Sequence, residues 1–160
     1  MIKIDEAFID PVSEKARQSS RRRMNHNFHK APEDTLQRML NAVEPDTYIR
    51  PHKHENPDKR EAFFVLRGRI AVVEFDELGN ISDHIVLDAK QGRYGAEVAP
   101  RTWHVIISLQ SGSVAYEVKD GPYDPDNDKI FAPWAPQEGD RQGKHYTQRI
   151  LQKLGLNQKK

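Results

Sequence analysis

Two histidines, a glutamate and a third, distant histidine have the residue types and the spacing of a metal site. His52 and His54 are two positions apart, so on an extended segment both imidazoles point to the same side. Glu61 follows a polar, proline-containing run that turns the chain, and it can open a returning strand that brings its carboxylate back to the pair. His104, near the start of the apolar run 103–109, supplies a fourth ligand. This set suits one divalent transition metal ion, Fe²⁺, Mn²⁺, Ni²⁺, Co²⁺ or Zn²⁺, and leaves coordination positions open.

The composition indicates a single domain without disulfides. With 160 residues the chain can bury roughly 68–70% of its unfolded surface in one domain. It contains no cysteine, which excludes a disulfide framework and suits a reducing cytosol. Its first six residues, Met-Ile-Lys-Ile-Asp-Glu, lack the layout of a secretory signal, and no apolar run approaches the length that spans a bilayer. We therefore expect a soluble, cytoplasmic protein.

The charge balance argues against large anionic partners. The 25 basic and 24 acidic side chains give a formal net charge of +1, so no global field favours nucleic acid or an anionic membrane. We expect neither as a partner, and any preference for anions must be local.

Residues 1–46 are expected to form a segment of short helices that packs on a barrel. From Asp10-Pro11 onward, residues 12–23 can form a helical turn or two that is entered through the proline. Pro32-Glu33-Asp34 opens a second helix, because acidic residues in the first turn oppose the helix dipole. This helix should end at Glu44, and its apolar repeat at i, i+3, i+4 and i+7 consists of Leu36, Met39, Leu40 and Val43.

The period changes to that of strands between Thr47 and Lys119. Turn residues separate seven predicted strands, near 47–51, 60–67, 69–76, 81–88, 93–99, 103–109 and 113–119. Short strands at close, regular spacing favour a barrel or sandwich, because a βαβ fold would need helices between them. We therefore predict a mainly β, single-domain fold with its barrel and a covering loop within residues 47–139.

Two segments follow the last predicted strand. Residues 120–139 contain four prolines and should form a loop, which folds back over the barrel to bury Phe131 and Trp134. Residues 140–160 form a polar tail that is a marginal helix, a partner-binding helix or disordered. Of these we expect a loosely held end.

The metal motif resembles that of the cupin superfamily. Its first motif has two histidines around one residue, a short gap, a glutamate and a later glycine, which here are His52, His54, Glu61 and Gly68. The gap before the glutamate is longer than usual. The second motif has a glycine three residues before its histidine, and Arg101 replaces that glycine before His104. This replacement can place a guanidinium near the mouth of the pocket.

The flanks are similar to those of the WbuC-type cupin fold metalloproteins. The segments that carry this resemblance are residues 21–29, 37–41, 117–123 and 131–136. The resemblance covers about residues 17–139 and implies a jelly-roll β-barrel that holds one metal ion. It also implies a frequent occurrence among surface-polysaccharide genes, without a settled reaction.

Arg50, near the motif, and Tyr116, on the last predicted strand, are candidates for contact with a substrate. Arg50 lies two residues before His52, so strand alternation directs it to the ligand side, and the alternative is an exposed arginine at a sheet edge. Tyr116 and Lys119 face opposite sides of the last predicted strand, so at most one of them points inward. Packing in the core is the default for Tyr116.

The basic run 21–29 supplies further candidates. We expect the N-terminal segment to cross the barrel mouth and present Arg22, Asn25 and His29 to an anionic or hydroxyl-rich small molecule. Guanidinium groups suit bidentate contacts with phosphate or carboxylate. A solvated basic face is the alternative interpretation of this run.

Three functions remain open at this point. The first is a metal-dependent isomerase or epimerase that acts on a small sugar-derived or other hydroxylated, anionic substrate, where the ion is a Lewis acid. The second is an iron-dependent oxygenase, and the third is a non-catalytic module that binds a sugar or small metabolite. The barrel hosts all three. Because small barrels have strand edges to protect, we also expect a homodimer.

Overall fold

The computed structural model describes residues 1–159 and confirms a mainly β, single-domain, jelly-roll type of fold. Its ten strands are β1 Arg23–Asn27, β2 Leu36–Val43, β3 His52–Lys53, β4 Glu61–Arg67, β5 Ile70–Phe75, β6 Ile81–Leu87, β7 Gly95–Val98, β8 Trp103–Ser108, β9 Ser113–Asp120 and β10 Ile130–Phe131. Two helices flank them, α1 Glu6–Gln18 and α2 Gln142–Lys153. No helix among the described residues is long and apolar enough to cross a membrane.

Two antiparallel five-stranded sheets face each other. Sheet A has the order β1-β2-β9-β4-β7, and sheet B has the order β10-β3-β8-β5-β6. Between them lies an apolar core to which both sheets contribute, formed by Val43, Phe63, Val65, Ile70, Val72, Leu87, Val98, Ile106 and Ala115. Burying this surface from two sheets at once fixes how they face each other.

Helix α1 covers the outer face of sheet A. It begins at Glu6, because the side chain of Asp5 accepts a hydrogen bond from the backbone N–H of Phe8 and caps the helix. Pro11 therefore lies inside the helix, and the prediction of a helix entered at this proline over residues 12–23 is corrected to Glu6–Gln18. The buried side of the helix, including Val12 and Ala16, packs on Leu40 of β2.

The predicted helix opening at Pro32 is wrong, because residues 36–43 form strand β2. Both faces of this strand are covered: Leu40 and Ala42 pack under α1, whereas Val43 enters the core between the sheets. A strand buried on both faces loses the alternation of polar and apolar residues, and what remains can imitate a helical repeat. Sheet A therefore begins at β1 and β2, within the segment predicted to lie outside the barrel.

The other predicted strands compare well with the structure. Six of the seven overlap β4 to β9, whereas the prediction at 47–51 is wrong, since strand pairing begins only at His52 in the short β3. The covering loop also contributes β10, which pairs with β3 at the edge of sheet B.

The covering loop and the C-terminal segment pack together on the outer face of sheet B. Trp134 contacts Phe75 and Trp103, with ring centroids 5.1 and 6.1 Å apart. The loop thus folds back as predicted, but Phe131 was expected to be buried and is 47% exposed. Because β10 is an edge strand, its Phe131 ring is left beside the site rather than under the loop.

The expectation of a loosely held C-terminal end is wrong over the described residues. Helix α2 buries Ile150 and Leu151 in the same cluster as Phe75 and Trp103. After the helix, the backbone N–H of Lys159 donates to the carbonyl oxygen of Leu109 at 2.8 Å. Ile150 and Leu151, with Leu154 and Leu156 packed against the same cluster, thus help to bury the outer face of sheet B.

Candidate metal centre

The fold brings the four predicted metal ligands to one point between the sheets. His52 in β3 lies directly opposite His104 in β8, and His54 follows β3. Glu61 opens β4 in the other sheet. One ligand atom from each residue lies within 4.8 Å of those of the other three, and all four residues are buried. Residues far apart in the sequence are thus positioned by the facing of sheets A and B.

Backbone carbonyl groups orient the three imidazole rings. In each ring Nδ1 lies against a carbonyl oxygen, so the Nδ1–H of a neutral ring donates to it and Nε2 keeps its lone pair. The acceptors are the carbonyl of Arg50 for His52, at 3.0 Å, of Thr102 for His104, at 2.8 Å, and of Asp128 for His54. This is the orientation that a second hydrogen bond gives to metal-bound histidines.

The carboxylate of Glu61 lies between two of these rings. Its Oε2 is 2.7 Å from Nε2 of His104, and its Oε1 is 2.9 Å from Nε2 of His54. Nε2 of His54 has no hydrogen bond partner among the described residues, although it is buried. Neutral rings that donate through Nδ1 leave lone pairs facing a carboxylate, which only a cation or a proton between them makes favourable. The donor set therefore fits a metal ion.

The charge states of the centre also fit metal ligation. Burial lowers the pKa of His52 well below its ordinary value, and the charge of Lys129 acts in the same direction, so this imidazole is neutral near pH 7. Burial alone would raise the pKa of Glu61, but hydrogen bonds from His104 and His54 and positive charge on these rings hold it well below its ordinary value, and a cation bound between the rings and the carboxylate would act in the same direction. Neutral imidazole and ionised carboxylate are the forms that bind metal ions.

A buried network of charges stands behind the centre. The carboxylate of Asp128, in the covering loop, accepts hydrogen bonds from Lys59 at 2.8 Å and from Lys119 at 2.7 Å. Nζ of Lys119 also lies 3.8 Å from Oε1 of Glu61. Because the carbonyl of Asp128 is the acceptor for His54, one loop residue both orients a candidate ligand and pairs with two buried ammonium groups.

A cavity of about 690 Å³ opens beside the four ligands. Sheet A gives it a polar wall, because alternating residues of four neighbouring strands point inward; these are Asn25, Asn27, Gln37, Asn41, Glu117, Lys119 and Glu61. The opposite wall is more apolar and includes Ile49, Ile106 and Phe131 beside His52 and His104. The cavity thus combines a group of residues that could hold a metal ion with many polar side chains that can bind hydroxyl groups.

Three of the five predicted substrate-contact residues line this cavity, namely Asn25, His29 and Arg50. Arg22 does not line the cavity, because its guanidinium donates to the carbonyl of Arg17 in the last turn of α1. Tyr116 does not either, because its ring stacks on Phe28 on the outer side of sheet A. Lys119 lies three residues after Tyr116 on β9, so its side chain points to the opposite side of the strand, into the cavity.

Several residues that line the cavity were missed in the sequence. Gln37 and Asn41 lie on β2, which was interpreted as a helix, so their inward parity could not be recognised. Glu117 lies two residues before Lys119 on β9, so both side chains point to the same side of the strand. The alternation of the strand could therefore have identified Glu117 from the sequence. Asp128 lies in a proline-rich loop, where neither a helical nor a strand periodicity indicates the direction of a side chain.

The arginine that replaces the usual glycine of the second motif keeps the backbone conformation of a glycine. Arg101 has a φ of 64°, and its guanidinium pairs with Asp58 at 2.8 Å. It therefore does not line the cavity, and the left-handed conformation is retained at an energetic cost of about 1 kcal/mol.

Glu117 is a further carboxyl group that lines the cavity, beside Glu61, Asp128 and Glu138. It is 7% exposed, and Nδ2 of Asn41 donates to its Oε2. Burial raises its pKa to about 7, with a further contribution from the charge of Glu61 and an opposing one from Lys119. The cavity thus contains an ionised carboxylate among the histidines and a second carboxyl group that titrates near neutrality.

Comparison with known proteins gives a family match and several similar folds. A family model described as "Domain of unknown function (DUF6016)" matches residues 4–87. No curated protein matches the sequence. The capsular polysaccharide assembling protein CapF from Staphylococcus aureus has 21% sequence identity and a TM-score of 0.55, and the match covers 71% of this chain and 30% of CapF. This chain thus spans about a third of CapF.

Two further solved structures are similar over more of their length. L-ribose isomerase from Cellulomonas parahominis has 16% identity and a TM-score of 0.51, with 69% of each chain covered. A structural-genomics target protein from Shewanella oneidensis has 12% identity and a TM-score of 0.55, with 86% of this chain and 87% of that chain covered. At these identities the likeness establishes a shared cupin-type fold.

Proposed function

Because the chain belongs to the family described as a domain of unknown function (DUF6016), a description that assigns no reaction, we propose its function from the site. We propose that the protein binds one divalent transition metal ion through His52, His54, Glu61 and His104. We further propose that it catalyses isomerisation of a small sugar-derived or other hydroxylated, anionic substrate, with epimerisation as the related reaction.

One observation carries the metal assignment. Nε2 of His54 is buried without a hydrogen bond partner in the described chain and faces Oε1 of Glu61 at 2.9 Å. Since a backbone carbonyl takes the N–H on the other side of the ring, no proton of a neutral imidazole is left to place between the two atoms. A cation bound between them removes this repulsion.

The walls of the cavity support a hydroxylated substrate. Side-chain amides on β1 and β2, such as Asn25 and Asn41, both donate and accept hydrogen bonds, as hydroxyl groups do. A volume of about 690 Å³ also falls within the usual range for small-molecule sites.

Two cations near the metal centre support an anionic group on the substrate. The guanidinium of Arg50 donates to the carbonyl of Ala132 at 2.8 Å and lies over the ring of Phe131, so its position is fixed. Lys129 lines the cavity, and its ammonium group forms no ion pair with the described residues. Together they can bind a carboxylate or phosphate at the mouth.

The residues of the chain then have separate tasks. A bound divalent ion would supply Lewis acidity toward a carbonyl or two adjacent oxygen atoms of the substrate. Arg50 and Lys129 would hold the anionic end, and the amides of sheet A would fix the hydroxyl groups. Burial of the four ligands keeps bulk water away from their side of the cavity.

Elemental analysis and solvent exchange test this proposal. Freshly purified full-length protein should contain about one transition metal ion per chain. The protein loaded with Mn²⁺ is then incubated in D₂O with a panel of aldopentoses, aldohexoses and their phosphates, and proton NMR follows deuterium entering the carbon next to the carbonyl. At least one sugar should exchange and isomerise. Metal-free purified protein that also fails to bind Mn²⁺, or a panel without exchange, would contradict the proposal.

The other two functions predict different results. Three histidines and a carboxylate with open positions also suit iron-dependent oxygenation. In that case the protein loaded with Fe²⁺ consumes dioxygen in the presence of substrate, which an isomerase does not. A non-catalytic binding module would raise its melting temperature with a sugar and leave that sugar unchanged.

We also propose the finer family type and a homodimer. The WbuC type is supported by the flanking segments described above, and a role in surface-polysaccharide metabolism by that resemblance and by the fold shared with CapF. A homodimer is supported by exposed apolar side chains on β4, such as Phe64 and Leu66, on the part of sheet A that α1 leaves open. Sedimentation at micromolar concentration would give twice the chain mass.

A further inference from the structure

Glu117 lies on the polar wall of the cavity, one step along sheet A from the metal centre. On β9 it faces Phe63 of β4, whereas Lys119, two residues on, faces Glu61. Two residues of a strand rise by about 7 Å, so Glu117 and the ligand Glu61 are separated by roughly the width of a small sugar. A substrate bound at the metal centre would therefore lie in front of Glu117.

The surroundings of Glu117 leave one of its oxygens available. Nδ2 of Asn41 donates to Oε2, and Oε1 has no hydrogen bond within residues 1–159. Lys119, the nearest cation along the strand, donates to Asp128 at 2.7 Å instead. Glu117 thus has no ion pair in the described chain, and one side of its carboxyl group faces the cavity.

A purely structural role does not explain a carboxyl group at this position. Its neighbours across the strands, Phe63 and Met39, are apolar, and an apolar residue would fill the same place without the cost of burying an acid. The raised pKa of about 7 means that both forms of the carboxyl group are populated near neutrality, which is the property that a proton carrier needs.

We propose that Glu117 is the catalytic residue that moves the proton between the two carbon atoms of the substrate; this rests on the isomerase function proposed above. The C2–H bond of an aldose breaks and the proton goes to Glu117, while the electron pair forms the C1–C2 double bond of an enediol and the carbonyl pair moves to O1. Glu117 then returns the proton to C1, and the hydroxyl proton of O2 passes to O1. The ketose that results is an isomer, so no oxidant or reductant is consumed.

The test compares the full-length, Mn²⁺-loaded wild type with Glu117→Gln and with Tyr116→Phe, a control on the outer side of the same strand. The probe is the aldose from the panel that the wild type isomerises. Glu117→Gln should lower kcat and deuterium exchange by about 100-fold or more, while metal content and KM stay within about threefold of the wild type. Tyr116→Phe should leave all four quantities unchanged.

The outcomes of this test distinguish the role of Glu117 from the isomerase function on which it rests. Turnover of Glu117→Gln within about threefold of the wild type overturns the role of Glu117 and leaves the isomerase function intact. A wild type that isomerises no sugar of the panel overturns the isomerase function, and the role of Glu117 falls with it. If Glu117→Gln does not fold by circular dichroism, Glu117→Asp replaces it, because it keeps the acid but withdraws it by one methylene. Its kcat should fall by about tenfold or more, and an unchanged kcat overturns the role.

Discussion

Nε2 of His104 lies 2.7 Å from Oε2 of Glu61, although 43 positions separate the two residues in the sequence. His104 belongs to sheet B and Glu61 to sheet A, so this contact exists only when the two sheets face each other. A metal ion bound at this point would connect the sheets across the core. Metal binding and folding should therefore be linked.

The first prediction concerns the metal ligands. Replacing His54 with Ala should lower the metal content from about one ion per chain to a small fraction of that value, because it removes one ligand from the set. The exposed His84 on β6 is the matched control, and its replacement with Ala should leave the metal content unchanged. Inductively coupled plasma mass spectrometry measures both. Equal metal content in the two variants would contradict the assignment.

The same variants should differ in how much Mn²⁺ raises their melting temperature. Saturating Mn²⁺ should raise the melting temperature of the wild type and of His84→Ala, because the ion binds the folded state. His54→Ala should show little or no rise. A rise of the same size in all three proteins would indicate that Mn²⁺ binds elsewhere.

The second prediction concerns the two buried lysines behind the centre. Lys59 and Lys119 both donate to Asp128, and their side chains are 1% and 5% exposed. Asp128→Asn should lower the free energy of unfolding by about 3–5 kcal/mol, because it removes the carboxylate that both buried ammonium groups bind and leaves Lys119 with only the more distant Glu61, at 3.8 Å. Urea denaturation measures the change. The exposed neighbour Asp126 supplies the control, since Asp126→Asn should change stability by less than about 0.5 kcal/mol.

The sequence predicted that the four candidate metal ligands converge, but it predicted only part of the walls around them. His52, His54 and Glu61 are short-range features whose spacing and intervening turn can be recognised directly, and His104 begins a clear apolar strand. The four side chains converge on one point once the strands that carry them are placed in two sheets that face each other. The strands of the barrel were predicted for the same reason, since six of them alternate or are bounded by turn residues.

The polar wall could not be predicted, because it depends on β1 and β2. The apolar spacing of β2 reflects burial under α1 on one face and in the barrel on the other, and local sequence does not distinguish this from a helix. Asn41 was therefore not assigned to the cavity. The position of Asp128 depends on long-range contacts with Lys59 and His54, which no local pattern reports.

The third prediction is a pH dependence of the contact between the N-terminal segment and the covering loop. Glu138 bonds Arg21 at 2.7 Å and also Arg23. Burial alone would raise the pKa of Glu138, but the charge of Arg23 and the two hydrogen bonds hold it below its ordinary value. A lowered folded-state pKa gives stability above the unfolded pKa of about 4.3, which is lost as the pH falls through the folded pKa.

Glu138→Gln should accordingly destabilise the protein at pH 7 by about 0.5–1 kcal/mol, a small value because the side chain of Glu138 is 37% exposed. The difference from the wild type should shrink as the pH falls below about 4.3 and through the lower folded-state pKa, below which Glu138 is protonated in both states. Urea denaturation at several pH values measures it. Glu97→Gln, on the exposed side of β7, should show no such trend. A difference that stays constant with pH would exclude the ionic contact as its cause.

The last prediction concerns the packing of the C-terminal helix. Gly143 of α2 is buried, and a Cβ atom at this position would overlap the ring of Tyr48. The ring cannot move freely, because its hydroxyl donates to the carbonyl of Pro136 at 2.7 Å. Gly143→Ala should therefore lower the free energy of unfolding by about 1–3 kcal/mol, against the gain in helix propensity that alanine brings.

Lys144→Ala, one residue further on the exposed side of the same helix, provides the comparison and should change stability by less than about 0.5 kcal/mol. Differential scanning calorimetry measures both variants. A helix held only loosely would accept the methyl group, and Gly143→Ala would then be as stable as the wild type or more stable. A loss of stability in Gly143→Ala alone would instead mean that α2 is a packed layer over sheet B, which contributes to the stability of the sheet that carries His52 and His104.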